Sequence, residues 1–266
     1  MTAVLDAPEQ ARPARTIRTI PMNRIVAVEL RKMFDTRSGF WLMASIVIAA
    51  VLATGSVILF APDGQLVYST FSAAIGFPMA VILPMIAILS VTSEWSQRSG
   101  LMTFTLVPRR GRVIGAKAIS AVGVGVVSIP LAFAVGAVGN VVGTSIAGTD
   151  VVWDVTLAEG LYIVLGNVLG LLVGFMLGVL IRSSPGAIVA YFVYSLLLPT
   201  VFELLAASQN WFRDLRPWVD FNEAQGLLFD GGPAGEQWAH LGTAGAIWLV
   251  LPLIVGLVVV VRSEVK

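Results

Sequence analysis

Six stretches of twenty or more residues contain no Asp, Glu, Lys or Arg: 38–62, 64–93, 118–149, 160–181, 183–202 and 237–261. A bilayer core about 30 Å thick is crossed by about 20 apolar residues at a helical rise of about 1.5 Å each, so each stretch holds one spanning helix. The chain is 57% apolar and 12% charged, whereas soluble domains average about 45–50% and about 25%. The expected fold is therefore an all-α membrane protein with spans near 40–61, 71–93, 117–139, 158–181, 186–206 and 240–261, forming one transmembrane domain over 21–266.

Threading the spans back and forth places 15 of the 17 basic residues on one side. That side receives the arm before the first span, the loop after the second, Arg182 and the tail. The other side receives Arg213 and Arg216, together with Asp63, Asp150, Asp154, Asp214, Asp220, Glu223, Asp230 and Glu236. The positive-inside rule then predicts a multi-pass protein of the cytoplasmic (inner) membrane with both termini cytoplasmic. A cleaved signal peptide fits badly, because the arm before the first apolar run is too long and so is the run itself.

Absences bound the chemistry. With no cysteine and only His240, neither a disulfide framework nor a catalytic zinc set of several imidazoles can be built. A net charge of +1 excludes a generally basic nucleic-acid binder. No nucleophile–base or H-E-x-x-H grouping occurs, and Glu159 and His240 lie near outer span ends, so no catalytic residue is assigned. Glu203 is the one acid inside a span, and Asn140 and Asn167 read as interhelical hydrogen bonders, which leaves little of the mid-bilayer charge that an ion-coupled carrier uses.

Residues 1–20 lack an apolar period and read as a mobile leader. From Pro21 onward, Met22, Ile25, Val26, Leu30, Met33 and Phe34 recur at helical spacing, which predicts an amphipathic helix on the cytoplasmic membrane surface, as a basic anchor on anionic lipid, as a partner contact, or as both. Gly166, Gly170, Gly174 and Gly178 form one stripe on span four, either for packing within the chain or for a dimer seam. Pro78, Pro84, Pro130, Pro199 and Pro252 imply kinks or freed carbonyls within spans. Aromatic-rich 207–239 predicts one or two short helices closing the outer face.

The informative stretch runs from Thr92 to Lys117. It reads as span two continuing past the surface at Glu94, a short amphipathic helix with Trp95, Leu101, Met102 and Leu106, and a basic turn re-entering the bilayer. An apolar helix on that face needs a cover, either lipid headgroups or a soluble partner.

At Glu94, the run from Gly100 to Leu106, Pro108-Arg109-Arg110 and Ala116-Lys117, the chain resembles permeases of type-two ABC exporters. The likeness extends to the whole layout of a basic amphipathic helix, six spans and long loops before spans three and six. It departs at Leu101, where members often carry Thr, and Thr103 is the nearest substitute.

The resemblance implies a permease whose loop, through Glu94, Trp95, Arg98, Gly100, Leu101, Met102, Leu106, Pro108, Arg109 and Arg110, docks on a separate cytoplasmic ABC ATPase. ATP and Mg would bind on that ATPase; this chain has no G-x-x-x-x-G-K-[ST] loop and would itself bind no cofactor. A second permease subunit, identical or related, would complete the path. Glu94 would pair with Arg98 or with a basic residue of the N-terminal helix as a hinge clamp. By the same analogy, spans two and five border the path, with Phe71, Phe77, Met79, Tyr191 and Tyr194 as candidate lining for a hydrophobic or amphiphilic cargo. The rivals are an ATP-independent carrier and a non-transporting scaffold or immunity protein.

Overall fold

The structure, a computed structural model, describes residues 20–96 and 110–262. The leader expected before Ile20 and the loop residues Arg98, Gly100, Leu101, Met102, Leu106, Pro108 and Arg109 lie outside the described residues. All regular structure among the described residues is helical. Six helical segments are long and apolar enough to cross a membrane: Gly39–Phe60, Tyr68–Trp95, Gly111–Ala147, Leu157–Ile181, Ser184–Ser208 and Gln237–Arg262. This is the build of a multi-pass membrane protein.

The elements are α1 (Met22–Asp35), α2 (Arg37–Phe60), α3 (Tyr68–Ser96), α4 (Arg110–Ala147), α5 (Leu157–Ile181), α6 (Ser184–Phe192), α7 (Leu198–Ser208), α8 (Asn210–Val219), α9 (Phe221–Gly226), α10 (Gln237–Gly245) and α11 (Leu251–Arg262). Helix α4 begins at Arg110, ahead of the expected start of span three at 117, and runs to Ala147, well past its expected end at 139. Helix α1 turns into α2 at Thr36, whose hydroxyl accepts from the Gly39 backbone N–H and caps the span.

Two helices form the centre. Half of the apolar window of α5 is buried and 44% of that of α3, against 11% for the fifth span. Ile75, Met79, Leu83, Ala87 and Val91 of α3 pack with Leu171, Phe175 and Val179 of α5 in the main core. Close approach requires the glycine stripe: a Cβ at Gly174 would stand 2.6 Å from the Pro84 carbonyl oxygen, and one at Gly178 would stand 3.3 Å from that of Ile88. Only a residue without a side chain lets the backbones meet at that distance. Gly166 faces Phe229 and Gly170 faces Gln225, so all four stripe glycines are covered from within the chain.

Pro199 and Pro252 each follow a π-helical segment, Val193–Leu197 and Ala246–Val250. Proline lacks the N–H that the carbonyl four residues earlier would accept, and a wider turn accommodates the misfit. The two π segments meet: the rings of Tyr194 and Trp248 lie 5.9 Å apart. The Trp248 indole N–H donates to the Val219 carbonyl at 2.7 Å, tying the sixth span to α8.

Region 207–239 contains α8 and α9, as short helices were expected there. Asp220 is buried between them; it receives Arg216 at 3.1 Å and caps α9 through the Glu223 N–H. The imidazole of His240 stacks edge-on against Trp218 at 4.4 Å.

Candidate functional site

Four charged side chains meet where α1, the end of α3 and the start of α4 converge. Lys117 Nζ lies 2.6 Å from Glu29 Oε2 and 3.2 Å from Glu94 Oε1. Lys32 Nζ lies 2.8 Å from Glu29 Oε1 and 3.2 Å from the same Glu94 oxygen. Lys117 also donates to the Ser90 carbonyl at 2.9 Å, so its three N–H groups have three acceptors. The side chains of Glu29, Glu94 and Lys117 are 5–6% exposed, and that of Lys32 is 44% exposed.

Among the described residues, two carboxylates and two ammoniums give a neutral cluster. Neutrality is what permits burial, because an uncompensated buried charge costs several kcal/mol. Burial alone would lower the ammonium pKa of Lys32, but its hydrogen bonds and charge contacts with Glu29 and Glu94 outweigh that and raise it above 10.5. Lys32 thus carries its charge throughout the physiological range.

The cluster binds three elements that are separate in sequence and flanks both ends of 97–109. Neighbouring contacts strengthen the join. Arg112 donates to the Ile20 carbonyl at 2.5 Å, and the hydroxyls of Thr92 and Ser184 sit 2.7 Å apart, linking α3 to α6. Trp95 is half-buried and packs against the main core.

Of the two pairings open for Glu94, the one with the N-terminal helix is present, through Lys32. Glu29 and Lys117 are partners that sequence reasoning missed. Glu29 carried a signal: it falls four residues after Ile25, on the one stripe of α1 that faces the protein. Lys117 was read only as a basic loop residue and as part of the Ala116-Lys117 match, with no partner assigned to it.

The candidate path residues separate. Phe71 and Met79 are fully buried, Phe71 beneath Gly139 and Gly143 of α4 and Met79 in the main core. Tyr191 is buried and donates to the Ala80 carbonyl at 2.7 Å. Tyr194 is half-buried against Trp248. Phe77 is 80% exposed and borders a cleft of about 490 Å³ between α3, the start of α5 and the turn after α9.

Helix α5 begins there with a capping box, in which Thr156 N–H donates to Glu159 at 2.7 Å and Glu159 N–H donates to the Thr156 hydroxyl at 3.3 Å. Asp154 ties this entry to α3, accepting from the Ser69 backbone N–H at 2.8 Å and from its hydroxyl at 2.5 Å. Burial would raise the Asp154 pKa; the two bonds from Ser69 prevail and hold it below 3.8.

Among the described residues, no three His, Asp or Glu side chains converge to hold a metal ion. Compared with protein families and with curated proteins, the chain matches none.

Proposed function

We propose that the chain is the membrane permease subunit of an ATP-driven exporter, moving a hydrophobic or amphiphilic substrate with energy from a separate cytoplasmic ATPase. The observation that carries this reading is the Glu29–Lys32–Glu94–Lys117 cluster. It joins the surface helix α1 to the two helices that bracket 97–109, the stretch on which the resemblance to type-two ABC permeases rests.

ATP binding can drive transport only through an element whose position differs between the two ATPase states and which both subunits hold. A loop clamped at both ends by a buried ion cluster fits that need, since a push on the loop reaches α1, α3 and α4 together. In this reading Glu94 is a positioning residue, while Trp95 and Arg98 begin the docking surface. A second permease subunit, identical or related, completes the path. ATP and Mg bind on the partner ATPase, and the protein resides in the cytoplasmic membrane with both termini inside.

The test is to replace Trp95 or Arg98 with Ala in the full chain, expressed in its own host. Both variants should insert at the level of the unaltered protein, with the melting temperature kept in Arg98→Ala and lowered in Trp95→Ala by the core contact it loses, yet both should lose the ATPase on purification and lose export. Retention of the ATPase and of export by both variants would overturn the assignment.

A further inference from the structure

The cleft beside Phe77 has a composition that selects a ligand. Its walls are apolar, with Phe77 and Ala80 from α3, Ile163 from α5 and Phe229 from the turn after α9. Its mouth carries three carboxylates, Asp154, Glu159 and Asp230, and no Lys or Arg among the described residues lines it. None of the three acids forms an ion pair among the described residues. Their hydrogen bonds to Ser69 and Thr156 orient Asp154 and Glu159 but leave the negative charge uncompensated. The volume, about 490 Å³, lies within the range of about 300–1,000 Å³ that holds small molecules.

The cleft owes its shape to the glycine stripe. Gly166 admits the Phe229 ring onto α5, and Gln225 donates to the Gly166 carbonyl at 2.7 Å, which fixes the turn as one wall.

We propose that this cleft binds a hydrophobic organic monocation, with its apolar body against Phe77, Ile163 and Phe229 and its charge at the Asp154–Glu159–Asp230 mouth. Charge complementarity favours a cation, and aromatic ring faces attract one further. A zwitterionic lipid is disfavoured, because its phosphate would meet the same carboxylates. The inference goes beyond the exporter reading: it needs only this chain, and binding can be measured with no ATPase present.

The experiment uses the full chain in phosphatidylcholine nanodiscs and compares tetraphenylphosphonium with tetraphenylborate, an anion of the same shape. Saturable, salt-weakened binding of the cation at one site per chain is expected, with no saturable binding of the anion. Gly76 lines the cleft, and a Cβ there meets nothing within 4 Å. Gly76→Leu therefore fills the space while favouring the helix, and should weaken cation binding at least about tenfold with the melting temperature kept. Asp230→Asn should weaken it about threefold, an effect that disappears in high salt. Displacement by dodecyltrimethylammonium in preference to methyltriphenylphosphonium would assign the natural ligand to lipid-like amines, and the reverse preference to compact aromatic cations. Equal saturable binding of both tetraphenyl ions, or cation binding unchanged in both Gly76→Leu and Asp230→Asn, would overturn the proposal.

Discussion

Replacing Lys117 with Met should destabilise the protein far more than replacing Lys32 with Met, although each lysine contacts the same two glutamates. The Lys117 side chain is 5% exposed and its partners Glu29 and Glu94 are 5% and 6% exposed. Removing it leaves two buried carboxylates sharing the half-exposed Lys32. Breaking a buried pair in this way costs about 3–5 kcal/mol. Lys32 is 44% exposed; its removal leaves both buried carboxylates on Lys117 with one negative charge uncompensated, but solvent reaches the vacated position and screens it, so the cost is about 1–2 kcal/mol, between that of an exposed pair and that of a buried one.

At about 2–4 °C per kcal/mol, Lys117→Met should lower the melting temperature by roughly 6–20 °C and Lys32→Met by roughly 2–8 °C. Thermal unfolding in mild detergent, followed by tryptophan fluorescence, reads both. Glu29→Gln combined with Lys117→Met restores neutrality, leaving Glu94 on Lys32, and should recover part of the loss. Equal, small shifts for the two lysine variants would refute the burial argument.

Gly174→Ala should cost about 1–3 kcal/mol, because its Cβ would meet the Pro84 backbone at 2.6 Å and must part the two central helices; Gly170→Ala meets only the movable Gln225 amide and should melt within about 2 °C of the parent. Gln225→Ala removes the bond to the Gly166 carbonyl and should cost about 1 kcal/mol in the same assay. The depressed Asp154 pKa means that its contribution to stability is present above the unfolded value of 3.8 and is lost as pH falls through the lower folded value. Ser69→Ala removes the hydroxyl bond and keeps the backbone one, so it should partly flatten the decline in melting temperature as pH falls below 3.8, and an unchanged decline would show that the Ser69 hydroxyl is not its source.

The layout of the fold was legible because lipid imposes a strict demand: a span must be apolar along its length, so charge-free runs mark it whatever the tertiary packing. The glycine stripe was legible as close packing, but its partner was not. Spacing shows that Gly166 to Gly178 share a face, and only three-dimensional placement shows Pro84, Ile88, Gln225 and Phe229 filling it.

Charged residues were harder to read. Glu29 and Lys117 look like ordinary surface charges, one on α1 and one near the expected start of span three, and what buries them is the packing of α1 against α3 and α4. The acid-rimmed cleft was invisible for the same reason, since Asp154, Glu159 and Asp230 come from two separate segments. Aromatic and thioether content marked Phe71, Phe77 and Met79 alike as lining, whereas the helical face decides: Phe71 and Met79 point into the core and Phe77 points away from it.

The central claim is that this chain works as one part of an ATP-driven assembly. Native mass spectrometry of the complex, extracted from its host in mild detergent, tests it most directly. The account predicts two permease subunits with two copies of an ATPase that carries a phosphate loop, and loss of the ATPase when 94–112 is altered. The chain recovered alone across several detergents, with no ATPase in near-equal amount, would contradict it.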